Sequence, residues 1–299
     1  MSIPPEYVEA GRIARETLKL SLELVEEGAL LIDIAEKLEG YILSRGARPA
    51  FPVNISINEV AAHYSPSVSD ESRIPPGSVV KVDVGVHVDG YIVDAALTIP
   101  LDRRWAPLAE AAREALRAAL LTLRNNSPVN DVAKSISTSI ESRGYKPVRN
   151  LTGHMVSRYV LHAGKSIPNV PDSALSRARV FSGEAYAVEP FATTGEGYVV
   201  ERGESHIYRV TSTKKLQGDP GLNEYLELLW REYKGLPFSE RWLERLGITL
   251  KDLHQLVKAR RVYHYPRLVE VTGSPVSQFE DTVIILEGGC KALADVLSL

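Results

Sequence analysis

Residues 78–99 constrain the fold more than any other part of the sequence, because apolar and polar positions alternate around a central Asp89-Gly90 pair. Alternation with a period of two is typical of a β-strand that buries one face. Asp-Gly between two such runs is among the strongest short-range signals for a two-residue hairpin turn. The segment therefore predicts an antiparallel hairpin with a fixed register.

The register of this hairpin brings two carboxylates onto one face. Counting outward from the turn pairs two acids with very small residues: Asp83 with Ala96, and Asp94 with Gly85. The acids become diagonal neighbours, roughly 7–8 Å apart at Cα, with open space expected opposite each. The other face is apolar and should pack on helices. Because two carboxylates facing one cavity repel each other without a cation, this face is either a solvated polar surface or one side of a metal site, and the small opposing residues favour the metal site.

Composition limits the cellular setting more than the fold. The 299 residues are 44% hydrophobic and 24% charged, as in ordinary globular proteins. A net charge of −3 gives no electrostatic basis for nucleic acid or an anionic membrane as partner. The single cysteine, Cys290, cannot form an internal disulfide, which suits a reducing compartment. Since no apolar run approaches the ~20 residues of a membrane span and the first residues do not resemble a signal peptide, we expect a cytoplasmic protein.

Helix and strand patterns alternate along the chain. Apolar residues at helical spacing predict helices at 6–27, 30–44, 106–123 and 128–142. Strand patterns cover 150–162, 184–193, 205–211 and 276–286. Residues 214–270 combine apolar residues at helical spacing with many charges, and predict a helical insertion subdomain. The segments 1–213 and 271–299 are predicted to form one main domain.

Part of the first half of the chain recurs in the second at a constant offset of 98 residues. Segment 33–49 lines up with 131–147, from an Asp-Ile/Val-Ala start to a Ser-Arg-Gly stop and a following Pro. The repeat predicts two helix-plus-sheet halves related by a pseudo-twofold axis, with acidic strand residues meeting between them. The alternative explanation is that helices ended by Gly and followed by Pro are common in α/β proteins and recur here by chance.

A metal site between the halves needs ligands beyond the hairpin. Two ions ~3.5–4 Å apart require bridging carboxylates and an imidazole. An acid within an apolar strand is rarely buried without a partner. Three side chains in such segments are candidate ligands: His154, Glu189 and Glu280. Oxygen-rich ligands with one imidazole suit Mn, Fe(II), Co or Zn, and availability decides among them.

The segments around these residues closely resemble type 2 methionine aminopeptidases, within the pita-bread metallopeptidase fold. An ordered set of Asp, Asp, His, Glu and Glu is shared by the whole fold. The helical insert before the last Glu is specific to type 2. Two short segments also have that specificity: Ala61-Ala62-His63-Tyr64 and His162-Ala163-Gly164-Lys165. The other matching segments are 50–59, 83–94, 153–154, 189–192 and 278–280.

The resemblance implies an α+β pita-bread fold, two pseudo-symmetric halves of helices and antiparallel sheet, with 1–213 and 271–299 as the catalytic domain and 214–270 as the insert. It implies two divalent metal ions per chain, with Asp94 and Glu280 bridging both. Asp83 would bind one ion, and His154 and Glu189 the other. Residues implied at the substrate are His63 and His162 on the scissile amide and carbonyl, and Phe51, Leu161, His206 and Tyr265 around the methionine side chain.

The implied activity is removal of the initiator methionine from nascent proteins when the second residue is small. Metal-activated hydroxide would attack the first peptide bond, and Glu189 would relay the proton to the leaving amine. The implied partner is the N-terminal Met of a nascent polypeptide, and the protein is expected to be a monomer. The charged N-terminal extension of eukaryotic members is not in the sequence, so the resemblance does not imply docking on the ribosome. A transient contact with the ribosome remains an alternative.

Two alternatives remain within the same fold. One is a prolidase-type peptidase, although those enzymes usually have a large domain before the first ligand, and 82 residues precede Asp83. The other is a non-catalytic pita-bread protein that binds partners or nucleic acid, although such proteins typically lose metal ligands. Two departures from the family pattern, Met155-Val156-Ser157 and Asp281, remove no ligand but put metal affinity and rate in question.

Overall fold

The computed structural model describes residues 3–299 and has six α-helices within them. The four helices predicted from apolar spacing are present, with ends within three residues of the predicted ones. The helices are α1 (Pro5–Leu24), α2 (Leu31–Ser44), α3 (Ala106–Thr122), α4 (Val129–Glu141), α5 (Pro220–Tyr233) and α6 (Leu250–Lys258).

The described residues also form fifteen β-strands, which pair only with antiparallel neighbours. The strands are β1 (Arg48–Ile57), β2 (Val60–Ala62), β3 (Val79–Val88), β4 (Tyr91–Pro100), β5 (Lys146–Pro147), β6 (Thr152–Val156), β7 (Ser166–Pro168), β8 (Ala185–Val188), β9 (Phe191–Thr193), β10 (Val199–Val210), β11 (Phe238–Ser239), β12 (Val262–Glu270), β13 (Val276–Gln278), β14 (Asp281–Ile285) and β15 (Cys290–Ala292).

The predicted hairpin forms from β3 and β4 in the predicted register, with Gly85 opposite Asp94. Its two turn residues, Asp89 and Gly90, have φ of 48° and 86°. Positive φ at both positions is what a type I′ turn requires. Strand β1 pairs with the free edge of β3, and α1 packs across both hairpin strands. The apolar face is buried beneath it: Val82, Val84, Val86, Val93, Ala95 and Leu97.

A second helix-plus-sheet unit follows at the predicted spacing. Helices α2 and α4 begin 98 residues apart, and so do the strands β1 and β5 that follow them. The glycines that end these helices, Gly46 and Gly144, have matching φ values of 78° and 80°. In the second unit, α3 and α4 pack on two sheets of strand order β13-β9-β5 and β15-β14-β8-β6-β7.

The two sheets of the second unit exchange strands at two acidic positions. Glu189 lies between β8 and β9, where the chain passes from the five-stranded to the three-stranded sheet. Glu280 lies between β13 and β14, where the chain passes back. Glu280 also exchanges both backbone hydrogen bonds with Ala96 of β4, at 2.9 and 3.2 Å. This bridge joins the hairpin to the second unit.

Residues 211–261 carry α5 and α6 around their own apolar core, centred on Leu226, Leu229 and Leu253. The helical prediction for 214–270 is wrong at its end, because 262–270 forms β12, which pairs with β10 and β2. Its Val-Tyr-His-Tyr start consists of residues that favour strands. The division into a main domain and an insertion subdomain stays a prediction. The strand predicted at 150–162 is shorter, since β6 ends at Val156 and residues 157–162 form a turn.

None of the helices within residues 3–299 is both long enough and apolar enough to cross a membrane.

Candidate metal centre

Four acidic side chains and one histidine meet where the hairpin contacts the second unit. Asp83 and Asp94 come from the polar face of the hairpin, and His154 comes from β6. Glu189 and Glu280 come from the two points where the chain changes sheets. All five side chains proposed as ligands from the sequence therefore lie in one place, although only the two Asp residues are close in the chain.

The side chains of this cluster lie close enough together to contact one cation. His154 Nε2 lies 3.5 Å from Asp94 Oδ2 and 3.7 Å from Glu189 Oε1. Ligand-type atoms of Asp94, His154 and Glu280 lie within 4.8 Å of one another. Glu280 accepts one hydrogen bond, from the side-chain amide of Gln278 at 2.8 Å.

Burial and mutual repulsion disfavour the charged form of these carboxyl groups. The pKa values of Asp83, Glu189 and Glu280 are raised well above the ordinary range, first by burial and then by the neighbouring carboxylates. Burial also raises the pKa of Asp94 to about 7 and lowers that of His154 to about 4. Without a compensating positive charge, the cluster is therefore electrostatically unfavourable.

The residues present fit a divalent metal. Oδ1 of Asp83 and Oδ1 of Asp94 are buried and accept no hydrogen bond from the described residues. In residues 3–299, His154 is the basic side chain within ion-pair distance of these acids, and no Lys or Arg is. Buried charges in proteins are usually paired or coordinate a metal. Carboxylates with one imidazole are ligands that suit Mn, Fe, Co or Zn.

A cavity lies beside the acidic cluster, and two further histidines, His63 and His162, line it. The ring of His162 lies 4.3 Å from that of His154, and the ring of His63 packs edge-on to Tyr265 at 5.5 Å. His63 has a φ of 63° and a buried Nδ1 without a hydrogen-bond partner among the described residues. Burial lowers the pKa of His63 to about 4 and that of His162 to about 3. Both rings therefore offer neutral imidazole nitrogens to the cavity near neutral pH.

The apolar end of the cavity is built around Phe51. The expectation of open space beside Asp94 is wrong at Gly85, because a Cβ there would stand 2.3 Å from the Phe51 ring. Glycine at this position lets the Phe51 ring approach the backbone of β3 closely. Phe51 packs with Leu161 and Leu236, and Tyr265 lines the same cavity.

His206 does not line this cavity. Its Nδ1 lies 3.5 Å from Glu240 Oε1 on the side that faces the helices of 211–261. The neighbouring Ile207 lines the cavity instead. The φ of 58° at His206 belongs to an irregular stretch of β10, which moves side chains off simple alternation.

Sequence reasoning missed four more residues that line the cavity: Asn54, Ala62, Ile207 and Pro237. Asn54 pairs with Asp83 across β1 and β3, and Phe51 pairs with Gly85. Because the register between β1 and β3 shifts between these pairs, a spacing of three puts both side chains beside the cavity. Regular alternation does not predict this arrangement. The segment Pro52-Val53-Asn54 gives a weak signal, because proline is uncommon inside a regular strand.

Asp281, one of the departures from the family pattern, does not enter the cluster. Its carboxylate accepts hydrogen bonds from the backbone N–H groups of Ala294 and Val296 at 3.0 and 2.9 Å. It therefore anchors the C-terminal segment on the far side of β14. At the other departure, Met155 is half-buried and packs against the main apolar core.

Comparison with solved structures identifies the fold class. A thermophilic Arx1 superimposes with a TM-score of 0.84 at 18% identity, over 98% of this chain and 91% of that one. A methionine aminopeptidase from Thermotoga maritima gives 0.71 at 22% identity, over 98% of both chains. A prolidase from Pyrococcus furiosus gives 0.63 at 17% identity, over 99% of this chain and 65% of that one. The chain has the pita-bread fold of these proteins, which confirms the fold predicted from the sequence.

Sequence comparison identifies the family. The model of metallopeptidase family M24 matches residues 6–285, and the chain belongs to that family. A methionine aminopeptidase of Thermococcus kodakarensis is 44% identical over 288 residues, covering 94% of this chain and 96% of that protein. One of Saccharolobus solfataricus is 42% identical over 281 residues, covering 92% of each. Membership in a metallopeptidase family agrees with the divalent-metal character of the acidic cluster.

Proposed function

We propose that this protein is a methionine aminopeptidase that removes the initiator methionine from nascent proteins when the second residue is small. The observation that carries the proposal is the acidic cluster with one imidazole at the end of an apolar cavity. The archaeal relatives named methionine aminopeptidase, which match nearly the whole chain, support the same substrate. The prolidases are more distant and longer than this chain, so the prolidase alternative is not favoured.

We propose that two divalent ions bind per chain, and that Co, Mn, Fe(II) or Zn serves according to availability. Asp94 and Glu280 would contact both ions, Asp83 one of them, and His154 and Glu189 the other. Once bound, the ions would supply an acidified water molecule as nucleophile and polarise the carbonyl of the first peptide bond.

The protein's own side chains would orient the substrate and move the proton. His162 and His63 border the cavity beside the cluster, where an imidazole N–H can stabilise developing charge on the scissile carbonyl and hold the adjacent amide. The Glu189 carboxylate faces the same space, and would take the proton from the attacking water and pass it to the leaving amine.

The methionine side chain would occupy the apolar end of the cavity. Phe51 and Leu161 are buried there and Tyr265 is half-buried, so these side chains would limit the access of water to the bond to be cleaved.

The proposed partner is the free N-terminus of a nascent polypeptide in the cytoplasm. A negatively charged molecule gives no basis for membrane or nucleic-acid binding. The chain is proposed to act as a monomer, and a transient contact with the ribosome is compatible with its substrate.

Activity after metal removal and return tests the proposal. Chelated protein should be inactive and regain activity with Mn(II) or Co(II), releasing Met from Met-Ala-Ser far faster than from Met-Lys-Ser. Asp94→Asn should lose activity at low metal concentration while keeping its fold, and Asp33→Asn, on the exposed side of α2, is the matched control. Faster cleavage of Ala-Pro than of Met-Ala-Ser would show that the enzyme is a prolidase instead.

A further inference from the structure

One strand face leads from the cavity to solvent. Tyr208 of β10 turns to the opposite face, where it packs with the core of 211–261. On the cavity face, Ile207 and Tyr265 line the cavity, and Arg209 pairs with Tyr263 one step further along the ladder. Tyr263 is 43% exposed and packs edge-on to Tyr265 at 5.0 Å. The outer pair therefore lies where the cavity opens to solvent.

Arg209 has no acidic partner at this position. Over residues 3–299, its guanidinium makes no ion pair or hydrogen bond, and its Nε is buried and unpaired. Two arginines of the neighbouring segment do have acidic partners, since Arg241 pairs with Glu39 and Arg245 with Glu232. A buried polar group without a partner in a native structure calls for an explanation, and a bound ligand is one.

The charge of Arg209 reaches a residue that lines the cavity. It acts against the raised pKa of Tyr265, the cavity residue on which Tyr263 packs. Two residues of extended strand span about 7 Å. Arg209 therefore lies about that far beyond Ile207, which lines the cavity, and this spacing corresponds to about two residues of an extended peptide substrate.

We propose that Arg209, with Tyr263 beside it, forms a subsite for a carboxylate of the substrate on the leaving side of the scissile bond. The inference rests on the proposed aminopeptidase function and adds a preference to it. An Arg is suited to this task because its planar donors match a carboxylate. The carboxylate can be an acidic side chain at the third residue or, in a tripeptide, the C-terminal carboxylate.

Steady-state kinetics of the Mn(II)-loaded enzyme on three peptides separates these sources. Met-Ala-Glu-amide against Met-Ala-Gln-amide isolates the side-chain carboxylate. Met-Ala-Gln as free acid against its amide isolates the C-terminal one. The variants are Arg209→Gln, Arg209→Lys and, as matched control, Arg231→Gln, which removes an exposed charge from α5.

At least one of the two kcat/KM ratios should be roughly three- to tenfold in wild type and in Arg231→Gln, mainly through KM. That ratio should fall towards one in Arg209→Gln and be partly kept in Arg209→Lys. Ratios near one in wild type, or unchanged in Arg209→Gln, would overturn the subsite while the amide peptides are still cleaved. Failure of wild type to cleave any of the three peptides would instead refute the aminopeptidase function.

Discussion

Replacing Arg241 with Met should lower the free energy of unfolding by about 3–5 kcal/mol, the usual cost of removing one partner from a buried ion pair. The side chains of Arg241 and Glu39 are only 4% and 6% exposed. Two parallel hydrogen bonds of 2.7 and 2.8 Å join them. The Glu39 carboxylate keeps two neutral donors, the backbone N–H of Val53 and the indole of Trp242, which cannot replace the lost positive charge.

The same arginine connects the segment 211–261 to the walls of the cavity. It donates to Ser65 Oγ and to the carbonyl of Pro66 at 3.2 and 3.0 Å, just past His63. Val53, held by Glu39, follows Phe51 by two residues. The substitution should therefore also raise KM for methionyl peptides, because both walls lose an anchor.

Urea unfolding measures the loss of stability, with the slope of the free energy of unfolding against urea concentration unchanged between variants. Arg12→Met is the control, since Arg12 forms exposed pairs with Glu9 and Glu16 that contribute at most about 1 kcal/mol. The double variant Glu39→Met, Arg241→Met should lose less than the sum of the two single variants, because neither charge is left unpaired. A loss below about 1 kcal/mol for Arg241→Met, or additive losses, would refute the reasoning.

Three further outcomes are expected. Gly85→Ala should lower the free energy of unfolding by about 1–3 kcal/mol and raise KM for methionyl peptides, because the added Cβ meets the Phe51 ring. Gly40→Ala is the control, since open space surrounds that position and neither effect is expected. Urea unfolding and steady-state kinetics measure the two effects. Mn(II) at about 100 times its Kd should raise the Tm of chelated protein by roughly 5–10 °C in calorimetry, and no shift would contradict binding to the folded cluster. Asp281→Ala should lower the free energy of unfolding by about 2–4 kcal/mol and expose the segment 294–296 to proteolysis, because two buried N–H groups lose their acceptor. An unchanged urea midpoint would contradict this.

The hairpin could be predicted in full because its information is local. The Asp89-Gly90 turn fixes the register, and the register fixes which side chains share a face. Asp83 and Asp94 therefore fall on one face without reference to any other part of the chain. The 98-residue repeat is also local in origin, since each copy carries its own helix stop and its own following strand.

The other three ligand candidates could be named from the sequence but not placed by it. Glu189 and Glu280 reach the cluster because the chain changes sheets at both residues, and the Ala96–Glu280 bridge sets their distance from the hairpin. These are long-range contacts, for which a strand pattern contains no partner. Phe51 shows the same limit on a smaller scale, since the register shift in β1, invisible in the alternation, turns its ring onto Gly85.

Lys81 shows why the polar face of the hairpin differs from a solvated one. It lies on the same face as Asp83, two positions earlier, where alternation alone would favour exposure. Lys81 is nevertheless fully buried, its ammonium donates to the carbonyl of Asn58 at 2.8 Å, and burial lowers its pKa to about 7. The packing that buries this lysine also buries the neighbouring acids. A polar strand face becomes a site only when such tertiary contacts cover it, and the unpaired oxygens left on Asp83 and Asp94 then favour a bound cation.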